Sequence, residues 1–222
     1  MSGESGLFGA TDDDHPEMPS SLEELRAAAR TCRNCDLWER ATQTVFGEGP
    51  VTARVILVGE QPGDHEDVKG KPFVGPAGKL LDEALAQAKI DRSLTYVTNA
   101  VKHFKWEPLG KRRLHKKPNA KEIAACQPWL LTEIKLIKPD VLVCLGATAA
   151  GSLFGSKVKV STHRGRLFES DYAPQNLVTI HPSAILRVPD PRLKEAEFAR
   201  LVEDLTLVSQ HLKGNHPQID AD

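Results

Sequence analysis

The segment Gly59-Glu60-Gln61-Pro62-Gly63-Asp64 sets a carboxylate and an amide side by side, directly after the apolar run Val55-Ile56-Leu57-Val58. Four apolar residues closed by turn formers predict a buried strand. Two glycines and a proline then bring the backbone close to whatever lies at the strand tip. The carboxyl edge of an open α/β sheet is where such folds hold their ligands. By itself the segment also fits a tight turn carrying a solvated acid. Three further tips argue for a site. Tyr96-Val97-Thr98 runs into Asn99, Val141-Leu142-Val143-Cys144-Leu145 into Gly146-Ala147-Thr148, and Leu177-Val178-Thr179-Ile180 into His181-Pro182-Ser183. Glu60, Gln61, Asn99 and His181 would then converge on one crevice. A carboxylate, two amides and an imidazole can hydrogen-bond a polar ligand and exchange protons with it.

Helical patterns separate these runs. The alternation predicts an α/β three-layer sandwich, with a central, mostly parallel four-stranded sheet flanked by helices. A chain of 222 residues, 40% hydrophobic, suits a single core. The composition predicts a disordered N-terminal tail over 1–19, one domain over 20–212 and a polar C-terminal tail over 213–222. Ser20-Ser21 followed by Glu23 and Glu24 predicts the first helix start. Residues 191–212 carry the leucines and valines of an amphipathic helix. No apolar run approaches the ~20 residues of a membrane span. The N-terminus lacks a basic region followed by an apolar stretch, so a cytoplasmic protein is expected. A net charge of −1 excludes a broadly basic polyanion binder, so any affinity for nucleic acid must be local.

The chain has four cysteines, Cys32, Cys35, Cys126 and Cys144. The first two form C-x-x-C beyond the first helix. They do not sit in the strand-to-helix turn that a thioredoxin-like redox pair needs, and a cytosolic chain disfavours structural disulfides. Cys126 is predicted on a helix and Cys144 on a strand, and both could turn toward the C-x-x-C. Four thiolates suit zinc or an iron–sulfur cluster. Zinc usually takes two closely spaced pairs, and 126 to 144 is not one, so the spacing favours a structural [4Fe–4S] cluster over zinc or unligated thiols.

Residues 102–117 hold seven Lys or Arg and one acid, with Pro108-Leu109-Gly110 at the centre. The absence of a helical period predicts a loop, ending at Pro118 before a helix start at Asn119 and Glu122. It leaves the sheet just after Asn99. Phe104 and Trp106 interleave with the cations, as in a surface that grips phosphates and stacks on bases; a solvated charged loop is the alternative. Nearby cations favour the neutral, nucleophilic form of His115.

Together these motifs resemble the uracil-DNA glycosylase superfamily. Gly59-Glu60-Gln61-Pro62-Gly63 with Glu66-Asp67, Pro72-Phe73-Val74-Gly75-Pro76-Ala77-Gly78, Val97-Thr98-Asn99-Ala100-Val101-Lys102 and His181-Pro182-Ser183 carry the resemblance, which spans residues 25–205. The four cysteines look like the iron–sulfur branch. Lys111-Arg112-Arg113-Leu114-His115-Lys116 looks like the UdgX-type subgroup, which attaches covalently to uracil-containing DNA. The resemblance implies a flipped uracil held by Gln61, Asp64, Phe73, Asn99 and His181, with His181 donating to the uracil O2 as charge builds on the leaving base. It implies DNA contacts from Lys102, Lys111, Arg112, Arg113 and Lys116. It also implies capture of the sugar cation by His115, with Glu60 orienting it, accepting its proton and stabilising the cation. The expected partner is uracil-containing DNA, single strands included, met by a monomer in the bacterial cytoplasm at the nucleoid. A multiple-turnover glycosylase and a metal-bearing nucleic-acid module are the competing readings. Gly75-Pro76-Ala77-Gly78-Lys79-Leu80 fails as a P-loop, with Phe73 at the first glycine and Leu80 where Ser or Thr belongs.

Overall fold

The computed structural model describes residues 19–214. Its strands are β1 (Val55–Gly59), β2 (Thr95–Asn99), β3 (Trp106–Leu109), β4 (Arg112–His115), β5 (Val141–Leu145), β6 (Leu167–Ser170) and β7 (Ala173–Thr179). Its helices are α1 (Leu22–Ala29), α2 (Asp64–Lys69), α3 (Pro76–Gln87), α4 (Ala120–Ile137), α5 (Ala147–Phe154), α6 (Val160–His163), α7 (Pro182–Leu186) and α8 (Pro191–Gly214). Helix starts follow the capping residues. The Ser21 hydroxyl accepts from the Glu24 backbone N–H at 3.2 Å to open α1, and a reciprocal Asn119–Glu122 capping box opens α4.

The main sheet runs β2-β1-β5-β7-β6, with β1, β2, β5 and β7 parallel. Alternate residues of β1 serve opposite layers. Val55 and Leu57 pack with Leu81 and Leu85 of α3 and Leu201 and Leu205 of α8. Ile56 and Val58 pack with Leu130 and Ile134 of α4 and Ala149 of α5. Both faces are therefore covered, which explains why these strands read as unbroken apolar runs. The four parallel tips end on one edge, as the sequence implies.

The sheet has five strands, not four. The fifth, β6, pairs antiparallel with β7 at the edge, with an irregularity between Phe168 and Ser170. Its four residues are half-exposed and partly polar, so no apolar run announces it. The stretch predicted as a loop is a hairpin: β3 pairs with β4 in the register Trp106↔His115 and Leu109↔Arg112, across the turn Gly110-Lys111. Pro108 lies inside β3 and conceals it, because proline ordinarily marks an edge or a break. Helix α8 continues to Gly214, two residues past the boundary read from composition. The tail predictions for residues 1–18 and 215–222 lie outside the described residues. Among the described residues, no helix is long and apolar enough to cross a membrane.

Candidate active site

Glu60, Gln61, Phe73, Asn99, His115 and His181 line a single cavity of about 760 Å³ at the strand tips. Close packing builds its floor. A Cβ on Gly59 would run into Asn99 Oδ1 and the Phe73 ring, and a Cβ on Gly78 into the Phe73 backbone. Phe73 itself sits at φ 55°, in the left-handed region, a conformation costing on the order of 1–3 kcal/mol that persists where neighbours over-determine it. Glu66 does part of this. Its carboxylate accepts from the Gly75 N–H at 2.7 Å and the Gly63 N–H at 3.1 Å, tying the two glycine-bearing loops together.

Asn99 is 3% exposed, and its side-chain amide has no hydrogen-bond partner among the described residues. An unpaired amide on so buried a residue, turned to a cavity, can pair with a polar ligand there. The His181 ring stacks 5.9 Å from that of Phe73 at 26°. Its Nδ1 lies 3.1 Å from the Ser183 backbone N–H and 2.8 Å from the Ser183 hydroxyl. Nδ1 therefore accepts, and the ring proton sits on Nε2. Burial, reinforced by Arg187 and His115, pushes His181 down to about 4. At neutral pH it is an uncharged Nε2–H donor.

His115, at the end of β4, reaches the cavity from the hairpin. Its Nε2 lies 2.9 Å from Gln61 Nε2 and 3.7 Å from Glu60 Oε1. The Gln61 amide orientation is fixed from both ends: its oxygen accepts from the Lys105 N–H, and the two hydrogens of its nitrogen go to the Lys116 carbonyl and to His115, each at 2.9 Å, with the Lys105 carbonyl at 3.3 Å sharing one of them. Gln61 is thus the donor to His115, whose lone pair is on Nε2 and whose proton is on Nδ1. Burial lowers the His115 pKa; Glu60 opposes the shift and Arg187 adds to it. The Glu60 carboxylate also accepts from the Thr148 hydroxyl, a partner that no sequence spacing indicated.

Several residues assigned from the sequence stand elsewhere. Lys102 does not face DNA. It is 1% exposed, and its ammonium donates to Thr98 Oγ1 at 2.6 Å, the Asn99 carbonyl at 2.9 Å and buried Glu133 at 2.5 Å. Asp64 and Arg113, assigned to uracil and DNA, hold each other at 2.5 Å. Arg113 also reaches fully buried Asp67 at 2.5 Å and lies over the Phe104 and Trp106 rings. With the Trp106 N–H donating to the Arg40 carbonyl at 2.9 Å, this clamps the hairpin to the body. Gln61 lines the cavity, but its amide is turned to the hairpin. Lys116 pairs with Glu107 at 2.8 Å. Lys111 and Arg112 stand exposed at the hairpin tip.

The cysteines divide three to one. Cys35 and Cys126 share an apolar nest with Leu37, Val101 and Trp129. The Trp129 indole N–H donates to Cys32 Sγ, and the Lys102 backbone N–H to Cys126 Sγ, each at 3.2 Å. Burial pushes Cys126 up to about 12, with Cys32 and Cys35 both near enough to act on it. Such N–H···S bonds suit thiolates bound to a positive centre. Among the described residues, no three side chains are gathered tightly enough for one metal ion. Tetrahedral zinc, with Zn–S near 2.3 Å, holds its sulfurs under about 4 Å apart. A polynuclear cluster, ligated at its corners, takes a wider triangle. Cys144 does not join the group. It is fully buried in β5 against the α4–α5 layer, and burial alone raises its pKa.

The family model of the uracil DNA glycosylase superfamily matches residues 46–206. The chain belongs to that superfamily. Over 194 residues it is 37% identical to a type-4 uracil-DNA glycosylase of Thermotoga maritima, covering 86% of this chain and 95% of that protein. Over 191 residues it is 35% identical to one of Archaeoglobus fulgidus, covering 82% and 92%. The superfamily match includes every cavity residue named above, and it stops short of Cys32 and Cys35.

Proposed function

We propose that this protein excises uracil from DNA and captures the resulting deoxyribose cation on His115. The observation that carries the first half is the unpartnered Asn99 amide, buried in the same cavity as the Phe73 ring and the neutral His181 donor. A flipped base needs a flat surface to stack on and a polar wall to pair with. Asn99 reads the edge on which uracil and cytosine differ, and Phe73 takes the ring face. As the C1′–N1 bond breaks, its electron pair leaves with uracil, and the His181 Nε2–H stabilises the charge growing on O2. The relatives at 35–37% identity bear the same activity in their names.

The second half rests on His115. Its Nε2 lone pair adds to C1′ of the oxocarbenium ion, and the imidazolium so formed releases its Nδ1 proton to solvent, to which the half-exposed ring is open. Glu60 lies on the Nε2 side, so its role is to stabilise the sugar cation, not to accept the proton. Holding the nucleophile beside the cation gives it an effective concentration that water does not match. The Gln61 hydrogen bond to Nε2 must break first, which makes water capture with turnover the competing outcome. A [4Fe–4S] cluster held by Cys32, Cys35 and Cys126 would supply a structural tie between the N-terminal segment and α4. Release of uracil from a uracil-containing oligonucleotide, read by alkali cleavage or by adduct mass, tests the proposal. No uracil release would overturn it.

A further inference from the structure

A second groove, of about 740 Å³, is lined by α4, α5 and the 155–161 segment. It is continuous with the active-site cavity, because Lys117, Ala147, Thr148 and Val160 line both. The volume is in the range of clefts that enclose a nucleotide-sized ligand, roughly 300–1,000 Å³. The chain carries 30 Asp and Glu residues, yet none lines this groove. Two exposed lysines do, Lys117 near the cavity and Lys159 beyond it, and neither is in an ion pair among the described residues. Small residues, Ala120, Ala124, Ala147, Gly151 and Ser152 among them, make up much of the lining, and a Cβ on Gly151 meets nothing within 4 Å.

We propose that this groove holds the nucleotides flanking the flipped uridine on one side of the same strand. The inference rests on the DNA reading above. A strand with one nucleotide in the cavity must leave it, and this exit offers cations for phosphates and a lining of small residues for base faces, with no anion to repel them. The hairpin tip, with exposed Lys111 and Arg112, lines neither the cavity nor this groove and is left for the other flank.

Gly151→Glu tests the groove cleanly. The open space accepts the side chain, and glutamate is a better helix former than glycine, so the fold is kept while a charge enters the groove. The substrates are dTdUdT and the same trinucleotide extended by thymidines on the 5′ side only or the 3′ side only. Single-turnover excision is measured on these. Affinity is measured on matching oligonucleotides whose uridine carries a 2′-fluorine that blocks cleavage. Extension on one side should raise native affinity and excision by roughly tenfold or more, the scale of a few stacked bases. Gly151→Glu should erase that gain while changing dTdUdT excision by no more than a few-fold. No length gain on either side, or a gain that survives Gly151→Glu, overturns the groove. One-sided tightening of the uncleavable strand without uracil release would uphold the groove and overturn the activity instead.

Discussion

Replacing Lys102 with Met tests how far the base pocket depends on a charge buried beneath it. The ammonium places its three donors on Thr98, Asn99 and Glu133. Glu133 is 0% exposed and also accepts from the Tyr96 hydroxyl at 2.9 Å and the Gly47 N–H at 3.2 Å. Methionine fills much of the same volume, so the loss is electrostatic: a buried carboxylate left without its cation. Breaking such a pair from one side costs about 3–5 kcal/mol. At about 2–4 °C per kcal/mol for a chain of this size, the melting temperature should fall by roughly 6–20 °C. Lys102→Met/Glu133→Gln removes both charges and keeps an acceptor for Tyr96 and Thr98, so it should recover at least half of the loss. Thermal melts at neutral pH report both numbers. A single variant melting within about 2 °C of the native protein, or a double variant less stable than the single, would show that the buried charge pair does not hold this layer together.

Other outcomes follow from the same geometry. Arg113→Gln removes the clamp to Asp64 and Asp67, so crosslinking should slow at least tenfold while uracil release stays within a few-fold, read by sampling both in one time course. Because burial holds His115 below its ordinary pKa near 6.5, the lone pair survives mild acid. The crosslinking rate should fall in acid with a midpoint below 6.5; a midpoint above 6.5 contradicts this. Cys126→Ser should abolish the broad visible absorbance expected of an iron–sulfur cluster, whereas Cys144→Ala, in a separate apolar layer, should keep it.

What the sequence disclosed was periodicity and order. Val55–Val58 and Val141–Leu145 are apolar throughout because helices cover both faces of the sheet, and that pattern locates the tips from which Glu60, Asn99 and His181 enter the cavity. It could not disclose pairing across distance. Lys102 reads as one more cation in a basic run until Glu133, 31 residues away, is seen to bury it. Arg113 and Asp64 look like surface charges until their 49-residue separation closes. The strand tip carries Gln61 to the cavity, but the direction of its amide depends on the Lys105 and Lys116 backbone. Cys144 was grouped by counting thiols, and strand alternation turns it into the core instead. The β6 edge strand and the hairpin were hidden because short, half-exposed or proline-bearing strands lack an apolar signature.

If His115 captures the sugar cation, its loss should abolish the adduct and spare base excision. Native protein and His115→Ser, each mixed with a labelled single-stranded oligonucleotide carrying one uracil, should be compared on a denaturing gel after heating in detergent. The native protein should give a shifted band that survives denaturation. His115→Ser should give none, yet leave an alkali-labile abasic site at a comparable rate, because bond breaking depends on Asn99, Phe73 and His181. A shifted band of native intensity from His115→Ser would place the nucleophile elsewhere and contradict the account.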